Sequence, residues 1–500
     1  MFSSLFGKKS DHPLADLKSV AALLEELPRS DAHKALMELT EWVESAGDGA
    51  DFRLEHQFAV LRLLDESAQP HVRKLSREYF SPQELSKFHE NRLWLALVNW
   101  SQHAADAYMA VFDRYCGGDK GAGALKAQLP LLAGRAAVAL NGYAKYVSAH
   151  YGPMDPALWG RVARLYRHAE QQQYLDAPVE LYPGVATTVG RELASLLGWY
   201  GCGVGALSPL SMHLTERIVG HYGGSIAVAA QQADDSLFCF DLDHPAAPLR
   251  VKAGAGMSPS MRFVSMAAMQ PRLEELLSEL ARNAVPQELN LGGVYVAELV
   301  REAALYLRDY LVEPPLRRSP RRGIRVGLKV ANGYGGILER TDAGLSFGAE
   351  QHWEIEDISA TGFRTVIPPQ GTDGIRIGSL LGIQPDGVAH WGAAVVRRLM
   401  RDDDSRLHVG AEMLANRVAG VRLESGRDEG QHALWLMAKP GDPPGEARLL
   451  MKLEAFSAQR SLQTSLEGKN YLLMPMGLDE RGLDYDLARF RVIEQEAGEV

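Results

Sequence analysis

Cysteine is scarce in this 500-residue chain. Cys116, Cys202 and Cys239 stand far apart, without the spacing of a metal-ligand set or a disulfide framework, and they fit a reducing cytoplasm. No apolar run approaches the length of a membrane span. The opening Met1-Phe2-Ser3-Ser4-Leu5-Phe6-Gly7-Lys8-Lys9 has no apolar h-region or cleavage pattern, so no signal peptide is expected. Positive charge is not in excess either. A net charge of −10 argues against broad binding to nucleic acid or acidic lipid, although a local cationic site is still allowed. No nucleophile–base pair or carboxylate pair stands at a catalytic spacing, so no enzymatic activity is expected. Gly201-Cys202-Gly203-Val204-Gly205 follows a helical stretch and lacks the Gly-Lys-Ser/Thr of a phosphate loop; it reads as an interhelical connection. His213 and His221 would lie about 12 Å apart along a helix, too far to share a metal. No metal and no cofactor are expected.

What is present is an ordinary globular composition, 46% hydrophobic and 23% charged, long enough for about two to four domains. Residues 1–312 read as a mostly helical domain. Leu17, Val20, Leu24 and Leu27 repeat at helical spacing before Pro28, and Leu36, Leu39, Trp42 and Val43 form a second stripe with Gly47 as its stop. Ser81-Pro82-Gln83-Glu84 has the form of a helix start. From there Leu93, Leu97, Trp100, Ala104, Tyr108 and Phe112 line one face up to Gly117-Gly118. Further helices are predicted near 123–150, 157–173, 187–198, 209–221, 271–284 and 294–312, with no fixed repeat period. A β excursion is predicted near 224–255, built on Ile226, Val228, Leu237 to Phe240 and Leu249 to Val251.

After Pro314-Pro315 the pattern changes to β. Ile324, Val326, Leu328 and Val330 alternate as a half-buried strand does. Asn332 to Gly336 reads as a turn, and 337–350 as an insertion. Strands follow around Trp353 to Ile358, Phe363 to Ile367, Leu380 to Ile383, Trp391 to Leu399 and Leu407 to Met413, with an acidic turn at Asp402-Asp403-Asp404. This spacing points to a closed barrel over 313–420. Leu434 to Met437, Leu449 to Met451, Tyr471 to Met474 and Leu487 to Ile493 are too many strands for one small barrel. A second β unit over 421–500, packed on the first, is expected. The fold class is α+β and multidomain.

The densest chemistry lies between the two halves. Arg317-Arg318-Ser319-Pro320-Arg321-Arg322 puts four guanidiniums in six residues, on a segment that Pro320 keeps from being helical. Such planar forks pair with phosphate and stack on or donate to purines. Alone, the run could equally be a solvated linker or a nucleic-acid contact. Further on, Asp357-Ile358-Ser359-Ala360-Thr361-Gly362 offers a carboxylate, a hydroxyl and a glycine in one turn.

Together these stretches resemble the PilZ family of bacterial cyclic di-GMP receptors, whose pattern is Arg-x-x-x-Arg followed by Asp/Asn-x-Ser-x-x-Gly. The resemblance covers roughly residues 316–420, a fifth of the chain. The first half fits as Arg317…Arg321 or as Arg318…Arg322, and the second as Asp357, Ser359 and Gly362. It implies a barrel with an arginine loop that folds over cyclic di-GMP. Asp357 would accept from a guanine, Ser359 would contact phosphate or brace the loop, and Gly362 would leave room for the base. The Arg318…Arg322 register, preceded by Arg317, resembles members that take a stacked ligand pair; the other register resembles the one-ligand form. The family links this ligand to motility, biofilm formation and virulence. On this reading the chain is a cytoplasmic bacterial effector whose helical half carries the output to an unknown protein partner. Two alternatives stand beside it: a helical interaction scaffold whose barrel no longer binds nucleotide, and a basic-loop nucleic-acid binder, which the net charge disfavours.

Overall fold

A computed structural model describes residues 12–49, 52–252, 258–313, 320–341, 351–372, 374–425, 430–439 and 441–495. Arg317 and Arg318 lie outside them. The chain divides into two compact units, Met1–Pro315 and Leu316–Val500. The first is helical and the second is built from two six-stranded β structures, so the class is α+β.

The helical unit runs α1 (Leu17–Glu25), α2 (Ala32–Gly47), α3 (Leu54–Tyr79), α4 (Lys87–Cys116), α5 (Ala122–Leu125), α6 (Leu129–Ala149) and α7 (Ala157–Gln171). A hairpin of β1 (Val179–Tyr182) and β2 (Val185–Thr187) follows, then α8 (Val189–Gly201) and α9 (Pro209–His221). Next comes a small antiparallel sheet of β3 (Ala227–Ala229), β4 (Ser236–Asp241), β5 (Leu249–Arg250) and β6 (Met261–Ser265), in the order β3-β6-β4-β5. The β1–β2 hairpin was not visible in the sequence pattern, and the small sheet extends past the predicted excursion to Ser265. The unit closes with α10 (Gln270–Leu280) and α11 (Ala297–Val312).

The predicted face of α4 is buried, whereas in α1 the predicted stripe is only partly so, with Val20 buried and Leu17 40% exposed. Leu93, Leu97, Trp100, Ala104, Tyr108 and Phe112 of α4 all lie in the core. The predicted helix start at Ser81 is not used. Ser81 Oγ accepts from Gln83 N at 3.2 Å, a bond to i+2 that closes a local turn, and Ser86 caps α4 instead. The glycine-rich connection after α8 is held by α11: Tyr310 donates to the Gly201 carbonyl at 2.9 Å and Tyr306 to that of Cys202 at 2.7 Å. No described helix is long and apolar enough to cross a membrane.

At the centre of this unit sits a buried ionic network. Asp65, 3% exposed, accepts from Tyr108 (2.7 Å), Tyr182 (2.9 Å) and Gln69 (2.7 Å). The guanidinium of Arg135, 1% exposed, lies 3.3 Å away and also donates to the Leu181 carbonyl at 2.6 and 3.0 Å. Burial pushes the Asp65 carboxyl above its usual range, opposed by Arg135 and the hydrogen-bond donors.

The second unit begins with β7 (Arg322–Asn332), followed by helix α12 (Gly333–Thr341), β8 (Gln351–Ile358), β9 (Gly362–Ile367), β10 (Leu380–Pro385), β11 (Gly392–Arg401) and β12 (Leu407–Ala415). The six strands close a barrel in the order β10-β11-β12-β9-β8-β7. The expected turn at 332–336 is in fact the entry into α12. Gly333 takes a positive φ of 75°, and the backbone N–H of Tyr334 is bound 2.6 Å from Asp484, far along the chain. That distant anchor makes a helix of a segment that locally reads as a turn.

Six more strands follow: β13 (Val418–Leu423), β14 (Gln431–Leu436), β15 (Glu446–Lys452), β16 (Leu462–Leu466), β17 (Lys469–Arg481) and β18 (Tyr485–Gln495). Their order is β13-β14-β15-β18-β17-β16, and a bridge between Glu424 and Gln463 links the two edges, so this sheet is nearly closed. Its strands are apolar on both faces for a reason. Leu434, Leu436, Leu450 and Tyr485 pack with α12 and the first barrel's β10 to β12. Their chain neighbours Ala433, Trp435, Leu449 and Met451, together with Phe490 of β18, form the sheet's own core. Period-2 alternation thus feeds two cores from one strand.

Replacing Asp65 by Ala leaves the buried Arg135 guanidinium with Glu66, 2.5 Å away and partly exposed, as its remaining carboxylate, and takes the acceptor from the Tyr108 and Tyr182 hydroxyls. Urea denaturation is expected to show a loss of about 1–3 kcal/mol; unchanged stability would contradict the network's role.

Candidate functional site

Asp357 lies near the end of β8, on the same side of the strand as the buried Trp353 and Ile355. Its pairing with both neighbours is irregular: bulges interrupt β7–β8 between Gly323 and Val326 and β8–β9 between Ile355 and Asp357. Such bulges re-aim side chains at barrel rims. The residue is buried, 9% exposed. A buried carboxylate needs compensation, and two guanidiniums supply it. Arg321 Nη1 donates to Oδ1 at 2.8 Å, and Arg364 Nε stands 2.8 Å from Oδ2. Arg321 directly precedes β7, whose first residue Arg322 pairs with Ile358. Arg364 faces Asp357 across the β8–β9 ladder and also reaches Glu356 at 3.2 Å.

The turn between β8 and β9 is held from within. Ser359 donates to the Gly362 carbonyl through its backbone N–H (2.8 Å) and its hydroxyl (3.2 Å), and Met413 N donates to the Thr361 carbonyl at 2.9 Å. In this state Ser359 braces the turn. Gly362 is required by its neighbour strand, because a Cβ there would collide with the Ala411 carbonyl. The structure therefore brings together Arg321, Arg322, Asp357, Ser359 and Gly362 at the meeting of β7, β8 and β9. Arg322 is exposed and has no side-chain partner among the described residues.

Arg364 was missed by motif reasoning. Its signal is the alternation of β9, where Phe363, Thr365 and Ile367 are buried and Arg364 is not. The acidic turn at 402–404 is balanced by its own neighbours. Burial would raise the Asp402 carboxyl, but hydrogen bonds from His408 (3.0 Å) and Arg406 (2.9 Å) outweigh this and hold it down to about 2. No group of three or more His, Cys, Asp or Glu among the described residues is placed to hold a metal ion.

Comparison with known proteins adds one finding. Residues 18–232, a little over two fifths of the chain, match a family model described as the N-terminal domain of the cyclic-di-GMP receptor FimW. The match lies within the helical unit and ends before the barrel. No curated protein and no solved structure matches the chain.

Adding a methyl group at position 362 forces β9 away from β12. Gly362→Ala is expected to destabilise the second unit by about 1–3 kcal/mol in chemical denaturation; unchanged stability would show that the close strand approach is not needed.

Proposed function

We propose that this chain is a cyclic di-GMP receptor, and that its ligand site is the rim of the first barrel where Arg321 meets Asp357. The observation that carries the reading is the 2.8 Å hydrogen bond between them. It joins the arginine segment and the acidic turn at one end of one barrel. The FimW match in residues 18–232 supports the same ligand from the other half of the chain.

In this reading the guanidiniums of Arg321 and its neighbours take the ligand's phosphates and stack on guanine. Asp357 accepts from the guanine ring N–H and amino group, while Arg364 keeps its second oxygen neutralised. A charge-assisted hydrogen bond contributes about 1.5–3 kcal/mol. A few of these, less the cost of ordering, support roughly micromolar binding, about −8 kcal/mol. The Arg321–Asp357 contact favours the register Arg317…Arg321 and so one ligand per site. Segment 317–321 lies in the chain between α11 and β7, so a ligand that engages it acts on the connection between the two units. The role is that of a cytoplasmic receptor, not a catalyst, with output through a protein partner of the helical unit.

Titration calorimetry with cyclic di-GMP tests the reading. Wild type is expected to bind one ligand, and Arg321→Ala and Asp357→Ala each to weaken binding by at least about tenfold. Saturating ligand without heat, or variants that bind like wild type, would refute it.

A further inference from the structure

The helical unit contains a cavity of about 780 Å³, within the range that small-molecule sites occupy, about 300–1,000 Å³. Residues of α3, α4, α6 and α9 wall it, and residues 287–294, between α10 and α11, border it. Basic side chains tie that border to the walls. Arg77 Nε donates to the Gly292 carbonyl at 3.2 Å, Arg217 Nε to that of Asn290 at 2.7 Å, and His213 Nε2 to that of Leu291 at 2.8 Å.

The lining has more positive than negative charge. Arg73, Arg77, Lys145 and Arg217 stand against Asp65 and Glu216. Both carboxylates are already engaged, Asp65 in its network and Glu216 with Lys145 at 2.7 Å. Arg73 has no hydrogen bond or ion pair among the described residues. Arg77 and Arg217 use only Nε, which leaves their terminal N–H groups to spare.

The lining also holds acceptors without donors. His213 is 3% exposed. Its Nε2 faces a carbonyl and so carries the proton, and burial keeps the ring neutral. Its Nδ1 is therefore a bare acceptor, and it has no partner; neither has the buried Oδ1 of Asn141. Unmatched buried acceptors are uncommon in proteins. The complementary ligand carries anionic oxygens for the guanidinium forks together with O–H or N–H donors for the acceptors. Several spare N–H donors on three arginines suit a phosphate better than a single carboxylate.

We propose that this cavity binds a small phosphorylated molecule bearing hydroxyl or N–H donors, of mononucleotide size. The site is separate from the barrel rim and does not depend on the reading given for it.

Calorimetry on the full chain tests this with guanosine and adenosine monophosphates, the parent nucleosides and inorganic phosphate. At least one nucleotide is expected to bind about tenfold or more tightly than its nucleoside and than phosphate. The double variant Arg73→Gln/Arg217→Gln is expected to weaken that binding by at least about tenfold. Arg73→Gln alone removes no hydrogen bond or ion pair and changes an exposed side chain, so the fold is retained and binding is expected to weaken too. Arg321→Ala is expected to leave it unchanged. No binding of any probe up to about 1 mM, equal affinity for nucleotide and nucleoside, insensitivity to the arginine variants, or loss of binding in Arg321→Ala would each overturn the proposal.

Discussion

The candidate site rests on one carboxylate. Asp357 faces inward near a barrel end, where an unpaired charge would cost several kcal/mol. Arg321 approaches it from before β7 and Arg364 from β9. These two ion pairs tie three neighbouring strands together at the rim. They also leave the site poised for exchange. The carboxylate side chain is 13% exposed and the Arg321 side chain 37%, so an anion from solvent meets the arginine before it meets the acid. On the proposed reading, a ligand with both phosphate and guanine would replace that internal pair with two external ones of the same chemistry.

Around that rim, the second unit is organised by alternation. The strands of the second sheet are apolar on both faces because one face packs on α12 and the first barrel while the other fills its own interior. Polar ties add specificity. Arg397 on β11 reaches Glu480 on β17 at 2.9 and 2.5 Å, and Tyr334 donates to the His432 carbonyl at 2.6 Å. The first barrel is therefore buttressed by the second sheet on the side of β10 to β12, away from the order β9-β8-β7 that carries the candidate site.

Much of this was legible in the chain. Ile324, Val326, Leu328 and Val330 announce β7 through their period, and the long apolar stripe of α4 announces its helix. The features that were not legible depend on partners remote in sequence. α12 looks like a turn until Asp484 binds the Tyr334 N–H in its first turn. β13 and β16 are short, and Gly420, Gln463 and Ser465 dilute their pattern, so only pairing with β14 and β17 defines them. Arg364 gains its meaning from a register that a bulge shifts. The cavity of the helical unit draws on residues from Asp65 to Val294, a span no local motif can show. The helical half carried no motif with a name attached, yet it is the part that matches the FimW model.

Hydrogen–deuterium exchange of the full chain, with and without saturating cyclic di-GMP, tests the central claim most directly. The account predicts slower exchange across residues 317–323 and in the 359–362 turn, with the outer strands of the second sheet unchanged. Protection confined to the helical unit, or none at all while ligand is bound, would contradict it.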